Sequence, residues 1–245
     1  MLNTGITLTN LTLSYQRHPA VHHLSGVFKR GTTTAIMGPN GGGKSTLIRS
    51  LAGLHPIDEG SIERPDDLCL AATAFLPQSL TWDRQFPLSV FDLAAQALIP
   101  ELGFWKRINK LQMERVNAAL EQVGLIERKN HSIGTLSLGQ FQRALFARVI
   151  VQEAQVILLD EPLTGLDEKS CHKILELIHQ WHQGGKTLIV VLHDRQIAID
   201  HFQTTLILSQ EVQAWGPSAE VLVPQIWGQA LLHNPIPTSI EECER

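Results

Sequence analysis

Apolar positions along the chain follow two patterns. Short apolar runs without alternation occupy residues 33–37, 71–76, 156–160, 188–192 and 206–208. Runs of that kind predict strands of a sheet covered on both faces. Apolar residues three and four apart predict helices over 46–52, 90–98, 113–123, 141–151 and 168–183. Gly53 closes the first of these helices, and the Gly184-Gly185 pair closes the last. Strands that alternate with helices predict an α/β core.

Two regions depart from that rhythm. Residues 6–13, ITLTNLTL, carry Ile6 and Leu8, then Leu11 and Leu13. The near-alternation predicts a half-buried strand at a sheet edge, with a slip near Asn10. Between Pro87 and Ser137 the helical spacing has no strand for company, which predicts a helical lobe over about 87–137, inserted within a single domain of residues 1–245. Beyond Pro217 the breakers Pro224, Pro235 and Pro237 predict short helices and turns.

Composition narrows the class. Of 245 residues, 43% are hydrophobic, enough for a folded core, and the net charge of -4 gives no footprint for general nucleic-acid binding. Cys69, Cys171 and Cys243 lie far apart and form no CxxC pair, so a reducing compartment is expected, with neither a disulfide framework nor a thiolate zinc site. No apolar run approaches the roughly 20 residues that cross a bilayer. The start MLNTGITLTN lacks the basic and apolar regions of a secretion signal, so a cytoplasmic location is expected. Eleven histidines invite a metal reading, but His22 with His23, and His179 with His182 at i, i+3, are incomplete ligand sets. They read as solvated side chains.

The chemistry begins where the predicted strand 33–37 stops. Gly38, Pro39, Asn40, Gly41, Gly42, Gly43, Lys44, Ser45 and Thr46 read GPNGGGKST and fit GxxxxGK[ST] between a strand and a helix. Glycines let successive N–H groups turn inward toward phosphate oxygens, and the helix that begins near Lys44 adds its positive end. Lys44 would reach the β- and γ-phosphates of ATP, and the Ser45 hydroxyl would serve Mg²⁺. Residues 156–161, VILLDE, end an apolar strand in two carboxylates. Asp160 is the expected Mg²⁺ ligand, and Glu161, one residue on, the expected general base toward an attacking water.

With these in place, LSLGQFQR at 136–143 resembles the LSGGQ signature of ATP-binding cassette ATPases, the ABC family. The resemblance covers about residues 6–216 and includes Tyr15, Gln78, TGLD at 164–167 and His193. It implies a P-loop NTPase core of the ABC ATPase type, with an antiparallel β edge subdomain and an inserted α-helical subdomain. It further implies that Tyr15 stacks on adenine, that Gln78 contacts Mg²⁺ or water, and that His193 meets the γ-phosphate. Ser137, Gly139 and Gln140 would bind ATP held by the opposite protomer of a homodimer, and Asp167 belongs to the same nucleotide set. The residues agree, because Ser137 before a helical pattern is an N-cap and so a second anion site. Leu138 stands where the family usually has Gly, a bulkier side chain at the point of dimer closure.

Residues 77–92, PQSLTWDRQFPLSVFD, are similar to the docking stretch of cassettes that serve zinc and manganese importers, and Gly103-Phe104-Trp105 points the same way. The resemblance implies a peripheral ATPase on the cytoplasmic face of the cell membrane. It would power an integral membrane permease supplied by an extracytoplasmic solute-binding protein. Import of a siderophore, haem or cobalamin shares every core motif and stays open. A soluble cassette acting on DNA or ribosomes usually needs a coiled-coil insertion or a second cassette, and neither fits in this length.

Overall fold

The computed structural model describes residues 5–15, 18–78, 86–102 and 107–232, with the side chains of Tyr15, His18 and 229–232 outside the description. In chain order the elements begin β1 (Gly5–Tyr15), β2 (His18–Lys29), β3 (Thr33–Met37), α1 (Lys44–Leu51), β4 (Glu59–Glu63) and β5 (Thr73–Leu76). Next come α2 (Val90–Ala95), α3 (Ile99–Leu102), α4 (Lys110–Gln122), α5 (Leu138–Gln152), β6 (Val156–Asp160) and α6 (Glu168–Gln183). The chain continues through β7 (Thr187–Val191), α7 (Arg195–His201), β8 (Thr204–Ser209), β9 (Glu211–Pro217), α8 (Ser218–Val221) and α9 (Pro224–Leu232).

Among the described residues the strands form two sheets. The larger runs β5-β6-β7-β3-β8-β9, parallel except for the antiparallel β9. Every residue of β3, β6 and β7 is buried, because helices cover one face and the second sheet with α1 covers the other. Side chains alternate between the two cores: Ile36, Leu158, Val191 and Leu206 face α1 and the second sheet, while Met37, Leu159, Val190 and Ile207 face the α2, α5 and α6 side. Parallel strands end at one edge, where the turns after β3, β5, β6 and β7 meet. That edge gathers Gly38, Gln78, Glu161 and His193 from distant parts of the sequence.

The smaller sheet, β2-β1-β4, is antiparallel. The slip expected near Asn10 is a bulge: pairing shifts between Leu8 and Leu11, and Asn10 takes φ 47°. Strands β2, β4 and β9 have no counterpart in the sequence reading. β4 (EGSIE) has no fully buried position, β9 is at best half-buried, and β2 is interrupted by His22, His23 and Gly26. The sheet is tied to β9 by Trp215, whose ring occupies the space a Cβ on Gly26 would need and lies 4.7 Å from Phe28.

From Leu88 to Leu136 the described residues hold helices and turns, with one isolated bridge between Ser89 and Ser132. Capping boxes start α2 (Ser89 with Asp92) and α4 (Asn109 with Gln112). Both helices pack on α5, which also reaches the edge strand β5: Arg148 Nη2 donates to Phe75 O at 3.2 Å and Gln152 Nε2 to Thr73 O at 3.1 Å. The helix expected over 90–98 relaxes into a 3-10 turn after Ala95, and the strand expected over 71–76 starts only at Thr73, because Leu70–Ala72 is itself a 3-10 turn. Residues 79–85 and 103–106, which hold most of the docking stretch and Gly103-Phe104-Trp105, lie outside the described residues. No described helix is long and apolar enough to cross a membrane.

Candidate active site

The turn after β3 closes on itself through Gly42 N–H to Pro39 O at 3.2 Å, and Gln210 N–H donates to Gly42 O at 3.1 Å, anchoring the loop to the end of β8. Two positions require glycine outright. Gly43, the N-cap of α1, has φ 90°, and a Cβ there would stand 2.1 Å from Ala20 O; a Cβ on Gly38, at φ 142°, would stand 1.9 Å from Leu208 O. Asn40, Gly41, Gly43, Lys44, Ser45 and Thr46 line a cleft of about 230 Å³, with Ala20 and Glu161 completing its wall. Lys44 folds over the loop, its Nζ donating to Gly38 O at 3.0 Å and Pro39 O at 2.7 Å. Burial pushes its pKa down, and Glu161 and Asp160 oppose the shift without cancelling it. An incoming polyphosphate would replace two weak carbonyl acceptors with strong anionic ones.

Asp160 ends β6 beside this loop and is 3% exposed. Ser45 Oγ donates to its Oδ1 at 3.2 Å. Burial raises the Asp160 pKa; the Ser45 bond opposes that and neighbouring Glu161 adds to it. A buried carboxylate beside a hydroxyl is a hard oxygen pair, which suits a magnesium ion and would lose its burial penalty by holding one.

Glu161 follows with φ 51°, a left-handed backbone rare in a residue with a Cβ. That turn directs its carboxylate among three donors. His193 Nε2 lies 2.6 Å from Oε1, Gln78 Nε2 donates to Oε2 at 2.9 Å, and Thr164 Oγ1 reaches Oε2 at 3.4 Å. Gln78 therefore meets the acid at 161, whereas the acid at 160 is held by Ser45. A second cleft of about 250 Å³ shares Glu161 with the first and is lined also by Thr164, His193 and Asp194. The arrangement can hold an anion at the loop and withdraw a proton beside it.

Ser137 begins α5 in a capping box: its Oγ accepts from Gln140 N–H at 3.2 Å, and Gln140 Oε1 accepts from Ser137 N–H at 3.0 Å. The hydroxyl proton of Ser137 stays available to a further acceptor. Ser137, Gly139 and Gln140 line neither cleft, so the phosphate loop and this helix tip of one chain do not share a site. Asp167 caps α6, accepting from Ser170 N–H at 2.8 Å, and that bond together with the Ser170 hydroxyl holds its carboxyl below the usual range. The side chain of Tyr15 lies outside the described residues. Sequence reading missed Thr164 and Ala20 as site residues. Thr164 falls within the TGLD stretch and was open to notice; Ala20 enters only because β2 runs past the loop, and nothing in an alanine announces that.

The profile of the family described as ABC transporter matches residues 21–164, more than half of the chain. The chain belongs to the ABC transporter family. As an ABC ATPase it binds ATP and hydrolyses it, and its core is the P-loop α/β fold with an antiparallel edge sheet. It is 35% identical over 213 residues to the manganese transport system ATP-binding protein MntB of Listeria monocytogenes, covering 86% of this chain and 89% of that one. It is 35% identical over 215 residues to the zinc transport system ATP-binding protein TroB of Treponema pallidum, covering 86% and 81%. Among solved structures, an ABC transporter of metal-chelate type in an inward-facing conformation superposes with a TM-score of 0.83 at 28% identity, covering 95% of this chain and 90% of that one.

Proposed function

We propose that this ABC ATPase powers import of a divalent metal ion, zinc or manganese, through a separate integral membrane permease. It works as a homodimer at the cytoplasmic face of the membrane, and the permease receives its ion from an extracytoplasmic solute-binding protein. The observation that carries the mechanism is the carboxylate of Glu161, held among Gln78, Thr164 and His193 beside the phosphate loop. The two relatives named for manganese and zinc transport carry the choice of cargo.

Lys44 and the backbone N–H groups of the loop between Asn40 and Thr46 hold the phosphates, and Tyr15 takes the adenine. Ser45 and Asp160 would hold magnesium, with Gln78, bonded to Glu161, beside them; the ion would supply neutralisation of phosphate charge. Glu161 takes the proton of the attacking water, and His193 orients the water and meets the γ-phosphate. Ser137, Gly139 and Gln140 of a second copy close over the same nucleotide, supported by their position outside both clefts of their own chain. Asp167 belongs to the same nucleotide set. Hydrolysis removes the γ-phosphate contact, the pair opens, and the helical lobe of about 87–137 carries the movement to the permease.

A second reading, import of a chelated metal, is favoured by the likeness to the metal-chelate transporter. Radiometal accumulation separates the two. Cells with and without this chain are given zinc, manganese, iron and an iron chelate; dependence of zinc or manganese uptake on the chain supports the proposal, and dependence of chelate uptake alone overturns it.

A further inference from the structure

Leu138 is the first residue of α5 and is half-buried. Its Cδ2 lies over Gly165, where an added Cβ would stand only 3.1 Å away, and Gly165 takes φ +75°. The large residue of the helix tip thus fills room that glycine leaves in the turn after Glu161. A close approach and a hydrogen bond follow along the same helix. A Cβ on Gly139 would stand 2.8 Å from Ser170 Oγ, and Gln142 Nε2, in a side chain 2% exposed, donates to Pro162 O at 3.0 Å. Leu138 and Gln142, four residues apart, share a helix face. Together the three positions grip the segment from Pro162 to Ser170.

We propose that Leu138 is a positioning residue that locks the Ser137 tip to the turn carrying Thr164, so that the tip and Glu161 respond as one body. The path is short: Ser137 adjoins Leu138, Leu138 covers the open side of Gly165, and neighbouring Thr164 donates to Glu161. The inference rests on the proposed dimer, in which Ser137 attends the partner's nucleotide while Glu161 attends its own. Contact with one nucleotide is then felt at the acid serving the other. Shortening Leu138 leaves the tip free, and dimer closure must order it afresh.

The test uses the full chain with L138A, L138M, G165A and the L138A/G165A pair, and S137A as the control on the dimer reading. Half-saturating ATP for dimer formation is read in the Glu161→Gln background, and KM and kcat with Glu161 intact. L138A raises half-saturating ATP and KM by about threefold to tenfold, while kcat at saturation stays within about twofold. L138M restores most of the loss, and G165A harms closure more with Leu138 present than in the L138A background. Unchanged half-saturating ATP in L138A, or strict additivity of L138A and G165A, overturns the inference while S137A still blocks closure. If S137A also leaves closure unchanged, the dimer reading falls first and the inference with it. Should G165A fail to fold, the comparison of L138A with L138M decides alone.

Discussion

Replacing Glu161 by glutamine keeps the shape of the side chain and removes its charge and basicity. The carboxylate accepts from His193 on Oε1 and from Gln78 and Thr164 on Oε2. An amide has one acceptor oxygen, so with that oxygen toward His193 its NH₂ faces the NH₂ of Gln78. A flip of the Gln78 amide then restores the pairing. The two shorter charge-assisted bonds, from His193 and Gln78, become neutral ones, a loss of about 1 kcal/mol each. For a domain of this size that is about 2–4 °C in Tm per kcal/mol, a modest change. Turnover behaves differently, because a general base contributes about 10²–10⁴ in rate, or about 3–5 kcal/mol of barrier. Glu161→Gln should therefore lose at least about a hundredfold in kcat while nucleotide affinity, set by Lys44 and the loop, is kept. Steady-state phosphate release at saturating magnesium ATP, with thermal melts and a fluorescent-nucleotide titration alongside, reads all three. Turnover within about threefold of the parent would refute the role of Glu161, and loss of nucleotide binding would refute the separation of loop from acid.

Asp160→Asn should abolish ATPase activity yet raise the Tm of the nucleotide-free protein, since burial lifts the Asp160 pKa and so disfavours the charged form in the fold; melts and phosphate release check both halves. Gly43→Ala forces φ 90° on a residue with a Cβ 2.1 Å from Ala20 O, and should lower stability by about 2–5 kcal/mol and ATP affinity more than tenfold, whereas Gly41→Ala, with open space around its Cβ, should lose about 1–2 kcal/mol. Thermal melts of the two side by side give the contrast. Asp167→Ala should lower the Tm at neutral pH. The depressed pKa of Asp167 contributes stability above the unfolded carboxylate range, lost as pH falls through the folded value, so the gap to the parent should narrow in an acid melt series.

The core sheet was legible because β3, β6 and β7 are buried along their whole length and so read as plain apolar runs. β4 and β9 were not, since their stability comes from pairing with β1 and β8 and not from a buried face of their own. Lys44 and Ser45 carry no apolar signal, so the helical spacing alone starts at 46; the phosphate-loop reading put the start near Lys44, and α1 begins there because Gly43 turns the backbone. At the site, Lys44, Asp160 and Glu161 were named from motif and strand end, and His193 from the resemblance to the ABC family. Their convergence needed the parallel sheet, and the approach of Leu138 to Gly165 needed the start of α5 and the turn after β6 to meet in space. The departure at Leu138 was visible as an odd residue in a motif; the glycine that accommodates it was visible only in space.

The central claim is that two copies of the chain enclose ATP, with Lys44 and Glu161 on one side and Ser137 of the second copy on the other. Light scattering of the Glu161→Gln variant, with and without magnesium ATP and then with Ser137→Ala added, measures this directly. A mass that doubles with nucleotide and returns to that of one chain on loss of the Ser137 hydroxyl is the predicted result. A single-chain mass at saturating nucleotide, alone and beside the permease, would contradict the account.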